Sequence, residues 1–223
     1  MEKETVIRPS LLACDFLHLQ EELEECMEHG FTHIHFDVMD GNFVEEISFG
    51  EPLFRKVQER FGDDTTFDVH LMVVNPIDQI RLFAALGARE ISLHFEAMCV
   101  GDVIELTKIE QEYPSLKIGL AISPETKVEE MREFATAFDF VLVMSVHPGK
   151  GGQKFMPEAL EKIKQLAALR EEKGAQFEIG VDGGINEENG SLCVKAGANF
   201  LVAGTSYFKA KDRYESVKRI KGL

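Results

Sequence analysis

Short apolar, β-branched runs alternate along the chain with stretches whose apolar residues recur every three or four positions. This is the pattern of strands each followed by an amphipathic helix. Strands are predicted at 6–12, 32–39, 66–72, 90–95, 116–122, 139–145, 177–182 and 199–203, and helices at 16–29, 51–61, 77–86, 101–112, 127–137, 156–173, 187–196 and 206–219. Gly30, Gly87, Gly174 and Gly197 fall where helices should end, as left-handed C-terminal residues would. Eight βα units in 223 residues fit a single-domain α/β fold, a compact (β/α)8 TIM barrel over 1–223, and no composition break or Pro/Gly/Ser-rich linker divides the chain. A doubly wound open sheet is the competitor. The barrel is preferred because the candidate functional residues end strands two, three and seven, which closure alone brings to one rim.

Those candidates are His35, Asp37, His70 and Asp182. Residues 35 and 37 are two apart in a strand, so both side chains share a face. His70 and Asp182 likewise end short apolar runs. Two imidazoles and two carboxylates describe a site for one divalent metal ion, with zinc first and manganese, iron or cobalt suited to the same donors. After strand six, His147-Pro-Gly-Lys-Gly-Gly-Gln-Lys-Phe155 reads as a phosphate loop, although no Gly-Lys-Ser/Thr opens the next helix. Asp182-Gly-Gly184 and Ala203-Gly-Thr-Ser206 add two Gly-containing turns where barrels often bind phosphate, and both are expected at helix N-termini.

Composition narrows the function classes. At 44% apolar and 28% charged residues the chain can bury a large core. A formal charge of −15 with dispersed basic residues argues against nucleic acid. Backbone dipoles can still hold an anion at short range, because the net field is screened over about 8 Å at physiological salt. Cys14, Cys26, Cys99 and Cys193 form no C-x-x-C pair and read as reduced structural thiols. The first residues lack a basic segment followed by an apolar one, and no apolar run approaches a membrane span, so a cytoplasmic protein without membrane contact is expected.

A metal beside a phosphate site points to a phosphorylated substrate whose carbonyl or hydroxyl oxygen the ion polarises. Asp37 and Asp182 would approach from different sides, one removing a proton from carbon and the other returning one to the opposite face, which is epimerisation through an enediolate. No organic cofactor is expected, since no G-x-G-x-x-G follows the first strand. Met39, Met72 and Met144 recur near the same strand ends and are second-rank lining candidates.

Pro9-Ser-Leu-Leu-Ala-Cys-Asp-Phe16, His35-Phe-Asp-Val-Met-Asp-Gly41, Asp68-Val-His-Leu-Met-Val-Val-Asn-Pro76, Met144-Ser-Val-His-Pro-Gly-Lys-Gly-Gly-Gln-Lys-Phe155, Val181-Asp-Gly-Gly-Ile-Asn186 and Val202-Ala-Gly-Thr205 run nearly end to end. In these motifs the chain resembles the ribulose-phosphate 3-epimerase family. The resemblance implies that His35, Asp37, His70 and Asp182 bind zinc or a similar ion and that Asp37 and Asp182 are the acid/base pair. It also implies that Ser10 contacts substrate and that Gly149, Lys150, Gly151, Gly152, Gln153, Gly183, Gly184, Gly204 and Thr205 contact phosphate. The expected reaction interconverts D-ribulose 5-phosphate and D-xylulose 5-phosphate, and the family suggests a homo-oligomer.

The chain departs from the family pattern in its loops: Asn42 to Ser48 lacks the usual His and Pro-Asn, Lys150 replaces Phe, His147 replaces Asn, and Ser123 stands where Asn is common. Glu45 and Glu46 make the first of these loops more acidic. A D-allulose 6-phosphate 3-epimerase is therefore the nearest alternative. A phosphate-binding barrel lyase or decarboxylase is disfavoured because Asp68-Val-His70 has histidine where those enzymes carry lysine. A noncatalytic sugar-phosphate sensor is disfavoured by the intact Asp37/Asp182 pair.

Overall fold

The computed structural model describes residues 5–99 and 101–222. Among them, eight strands form one parallel sheet: β1 (Val6–Pro9), β2 (His33–Met39), β3 (Thr66–Met72), β4 (Glu90–His94), β5 (Lys117–Ile122), β6 (Phe140–Met144), β7 (Glu178–Asp182) and β8 (Phe200–Ala203). Each strand pairs with its sequence neighbour from β2 through β8, and β8 pairs with β1 in the register Val6↔Phe200. One isolated parallel bridge, Ser10↔His35, joins β1 to β2 and brings the sheet round into a nearly closed barrel. This is the predicted architecture.

Around it lie α1 (Leu19–Glu28), α2 (Glu51–Phe61), α3 (Pro76–Ala85), α4 (Asp102–Glu112), α5 (Val128–Met131), α6 (Ala159–Lys173), α7 (Gly190–Ala196), α8 (Thr205–Phe208) and α9 (Arg213–Lys221). Among the described residues no helix is long and apolar enough to cross a membrane.

Several boundaries differ from the sequence reading. The first strand stops at Pro9, after which a 3-10 turn at Leu11–Ala13 takes over. The helix predicted at 16–29 opens with a 3-10 turn at Phe16–His18, started by the Asp15 side chain accepting from Leu17 N–H. The one predicted at 127–137 is a single α-turn followed by a 3-10 turn at Ala135–Ala137. The last predicted helix, 206–219, is two, because the Asp212 side chain accepts from Glu215 N–H and caps a fresh start.

Two cores divide the strand side chains. Outward residues such as Ile34, Phe36, Val69 and Leu71 are buried against the helices, where Phe36, Phe54 and Phe83 pack with ring centroids 5.2 Å and 5.0 Å apart along that series. Inside, the β5–β8 side is apolar, with Phe140, Leu142, Phe200 and Val202 in one cluster. Gly119 and Gly180 make room for it: a Cβ on either would lie 2.1 Å from the Phe140 or Phe200 ring. The β1–β4 side of the lumen is polar, with Arg8, His35, Asp68, His70, Glu90, Ser92 and His94 all buried. Such an interior needs partners for every charge.

Candidate active site

The polar half of the lumen is wired from below. Arg8 Nη1 lies 2.9 Å from Asp68 Oδ2 and 2.6 Å from Glu90 Oε2, and its guanidinium stacks 3.5 Å from the Phe200 ring centroid. Asp68 Oδ2 also accepts from His35 Nδ1 at 2.9 Å. That bond leaves His35 Nε2 with its lone pair outward, and this buried atom has no hydrogen-bond partner.

Asp37 Oδ1 sits 3.3 Å from that nitrogen and 3.2 Å from His70 Nδ1, while Asp182 Oδ2 sits 3.6 Å and 3.5 Å from the same two. One ligand atom from each of the four residues lies within 4.8 Å of the others. β2, β3 and β7 thus bring together the four residues that the sequence singles out. His35 is deeper than a strand end, on the third residue of β2, which places it beneath Asp37.

The histidines and aspartates of this cluster shift each other's charge. Burial works against a charged His35, yet Asp37 and Asp68 outweigh it and hold its pKa well above the ordinary value. His70 is raised in the same way against burial, by hydrogen bonds with Asp182 and Asp37. Burial opposes ionisation of Asp37 and Asp182, but His35 and His70 keep both carboxyls below the usual range. The imidazole protons that balance the two carboxylates occupy the point where one ion would meet all four side chains. The orphaned His35 Nε2 and the mixed nitrogen/oxygen donor set fit a divalent ion.

Above this floor opens a cavity of about 600 Å³. Asp37 and Asp182 face it, whereas fully buried His35 and His70 lie below. Ser10 lines it and donates from Oγ to Asp37 Oδ2 at 2.7 Å. Met39, Met72 and Met144 line it, as do Gly149, Lys150, Gly151, Gly152, Gln153, Gly183, Gly184, Gly204 and Thr205. Only the last glycine turn meets a helix directly, with Gly204 preceding α8. α7 begins six residues after Gly184, so the helix N-terminus expected at that turn is absent, and α6 begins six after Gln153. Gln153 Nε2 instead donates to the carbonyls of His147 (2.7 Å) and Lys150 (2.8 Å), fixing the loop upon itself. Cys14, Asn186 and Lys209 also line the cavity, unmarked in the sequence reading.

The departing residues fall at distinct places. His147 and Lys150 are on the exposed rim, where His147 Nδ1 pairs with Glu125 at 3.1 Å. Ser123 is buried away from the cavity wall, its N–H donating to Glu96 at 2.8 Å. Glu45 and Glu46 are exposed, but their neighbour Val44 packs with Met39 and Met72.

Sequence reasoning missed Arg8, Asp68, Glu90, His94 and Glu96. His94 Nε2 lies 2.9 Å from His70 Nε2, and its Nδ1 lies 3.0 Å from Glu96 Oε2. Burial pushes the His94 imidazole down to about 4, so the ring is neutral. Burial raises Glu96, but His94, Thr126 and the Ser123 N–H outweigh it and hold the carboxyl at about 2. A signal for these residues exists: β2, β3 and β4 carry polar residues at alternate positions, 33-35-37, 66-68-70 and 90-92-94, where doubly buried parallel strands are usually apolar throughout.

Paired carboxylates under a glycine-walled cavity, at the C-terminal ends of barrel strands, place the chain among the (β/α)8-barrel enzymes. The sequence model of the Ribulose-phosphate 3 epimerase family matches residues 6–208. The chain is similar to the ribulose-phosphate 3-epimerase of Eremothecium gossypii, at 40% identity over 97% of this chain and 91% of that protein. To the Bacillus subtilis ribulose-phosphate 3-epimerase it is 39% identical over 97% and 98%. Among solved structures, 3-keto-L-gulonate-6-phosphate decarboxylase from Vibrio cholerae matches with a TM-score of 0.72 at 13% identity, covering 98% of this chain and 96% of that one, a likeness of fold alone. The chain belongs to the ribulose-phosphate 3-epimerase family and is therefore an isomerase.

Proposed function

We propose that the protein is a metal-dependent ketose-phosphate 3-epimerase acting on D-ribulose 5-phosphate and D-xylulose 5-phosphate. The observation that carries this reading is the convergence of Asp37 and Asp182, from β2 and β7, on the same two imidazole nitrogens at a cavity floor. A sugar phosphate would bind with its phosphate among the backbone N–H groups of Gly183, Gly184, Gly204 and Thr205 and the loop Gly149 to Gln153, with Lys150 adding charge from the rim. Its reacting carbons would then lie over the aspartates, against Met39, Met72 and Met144.

One carboxylate takes the proton from carbon 3, and the other delivers a proton to the opposite face of the planar enediolate. Ser10 Oγ, donating to Asp37 Oδ2, holds that carboxylate in line. His35, Asp37, His70 and Asp182 would hold a divalent ion, which supplies Lewis-acid stabilisation of the negative charge that develops on the sugar oxygens. The methionines keep water away from the planar intermediate.

The test is epimerisation of D-ribulose 5-phosphate and D-allulose 6-phosphate measured side by side, with and without chelator. Faster turnover of the pentulose, abolished by chelation, is expected. Preference for the hexulose would reassign the substrate, and binding of both sugars without turnover would make the protein a sensor.

A further inference from the structure

We propose that Glu96 is a positioning residue that, acting through His94, fixes which nitrogen of His70 faces the Asp37/Asp182 cluster. The inference rests on the reading that this cluster holds a divalent ion. Its basis is the direction of a hydrogen-bond chain running from the loop after β5 to the cavity floor.

Glu96 Oε1 receives the Ser123 N–H at 2.8 Å and the Thr126 hydroxyl, and Oε2 lies 3.0 Å from His94 Nδ1. An ionised carboxylate only accepts, so His94 must donate from Nδ1 and present a lone pair at Nε2. His70 Nε2, 2.9 Å away, must then carry the hydrogen. His70 Nδ1, which faces Asp37 Oδ1 at 3.2 Å and Asp182 Oδ2 at 3.5 Å, is then the nitrogen whose proton gives way to an ion. The far end of the chain therefore selects the ligand atom.

Both ends of this chain are secured. The Phe43 ring covers His94 with centroids 4.8 Å apart, and His94 is fully buried, which keeps water from substituting for either partner. Lys162 Nζ donates to the carbonyls of Ser123, Pro124 and Thr126 at 2.8, 2.7 and 2.6 Å, holding the loop that supplies the Glu96 donors. Asp68 does the same for His35 from the opposite side, through Nδ1. The two histidines would thus hold an ion through different nitrogens, His35 through Nε2 and His70 through Nδ1, each set by its own carboxylate.

The substitution Glu96→Gln separates this role from simple packing. An isosteric amide fills the same space, but its oxygen is claimed by the Ser123 N–H and the Thr126 hydroxyl, which turns its NH2 towards His94 Nδ1. The chain then reverses, and the hydrogen on His70 moves to the ligand nitrogen. Zinc affinity is measured by competition with a chromophoric chelator on the full chain, together with thermal melting of the metal-free proteins. The expected result is a dissociation constant at least tenfold weaker for E96Q, with wild type bound tightly.

Long-range 1H–15N correlation on the zinc-loaded wild type should show His94 protonated at Nδ1 and His70 at Nε2. Equal zinc affinity of wild type and E96Q, or a wild-type His94 protonated at Nε2, would overturn the inference. A wild type that binds no zinc or cobalt would instead overturn the metal reading itself. If melting shows E96Q unfolded, the wild-type spectrum alone decides.

Discussion

Arg8 and Asp68 meet inside the barrel with Nη1 2.9 Å from Oδ2, the same oxygen that accepts the His35 Nδ1 hydrogen. The ion pair therefore does two jobs. Removing the cation with Arg8→Met leaves buried Asp68 with His35 alone, while Glu90 keeps Lys117 at 2.9 Å, and should lower unfolding stability by about 3 kcal/mol, read from denaturant midpoints. Asp68→Asn should spare more stability yet weaken zinc binding roughly 10- to 100-fold, because an amide holds the His35 tautomer less firmly. Zinc affinity unchanged in Asp68→Asn would refute the link.

Asp37→Asn and Asp182→Asn each remove one of the two proposed proton-transfer groups while keeping shape. Turnover should fall roughly 100- to 10,000-fold in each, with the fold intact by circular dichroism. Solvent-deuterium exchange at carbon 3 distinguishes the two bases: each variant should still exchange the proton of one epimer faster than that of the other. Unchanged rates in either variant would remove that residue from the acid/base pair.

Chelation should abolish epimerisation, and added zinc, cobalt or manganese should restore it. The metal-free protein should remain folded, since the core around Phe36, Phe54 and Phe83 owes nothing to the site. Full activity in the presence of excess chelator would exclude a metal role.

Gly184 has φ +63°, and a Cβ there would lie 2.5 Å from Phe155 N. Gly184→Ala therefore costs about 1–2 kcal/mol for the left-handed backbone and displaces a turn of the proposed phosphate wall. KM for the sugar phosphate should rise about tenfold with a smaller change in kcat. A change confined to kcat would move the phosphate elsewhere.

Glu96, held at about 2 against an ordinary 4.5, is a depressed carboxyl. Its contribution to stability is complete above pH 4.5 and is lost as pH falls towards 2. The stability difference between wild type and Glu96→Gln should therefore be largest near neutrality and narrow on acidification, followed by urea unfolding. A gap that widens at low pH would contradict the assignment.

Much of this was legible in the residues. The two-residue step from His35 to Asp37, and the position of His70 and Asp182 at the ends of apolar runs, located the cavity floor because strand periodicity is rigid. The eight strands were readable for the same reason. What supports the floor was not, because Asp68, Glu90 and His94 lie within runs that otherwise read as apolar, and their partners come from other strands or from loops. Arg8 finds Asp68 only once β1 stands near β3, and Glu96 finds Thr126 only across a βα loop. Helix ends failed where a side chain such as Asp212 recapped the backbone, a local event that periodicity does not register.

The joint between β1 and β2 is spanned by one bridge, Ser10↔His35, and by the Ser10 hydroxyl reaching Asp37 across it. Every other joint in the ring is a ladder of several residue pairs. The barrel is thus a split hoop whose clasp is made of residues of the candidate site. A ligand that engages Ser10 and Asp37 is expected to tighten this joint, which slower amide hydrogen exchange along β1 and β2 on ligand addition would report from the outside of the molecule.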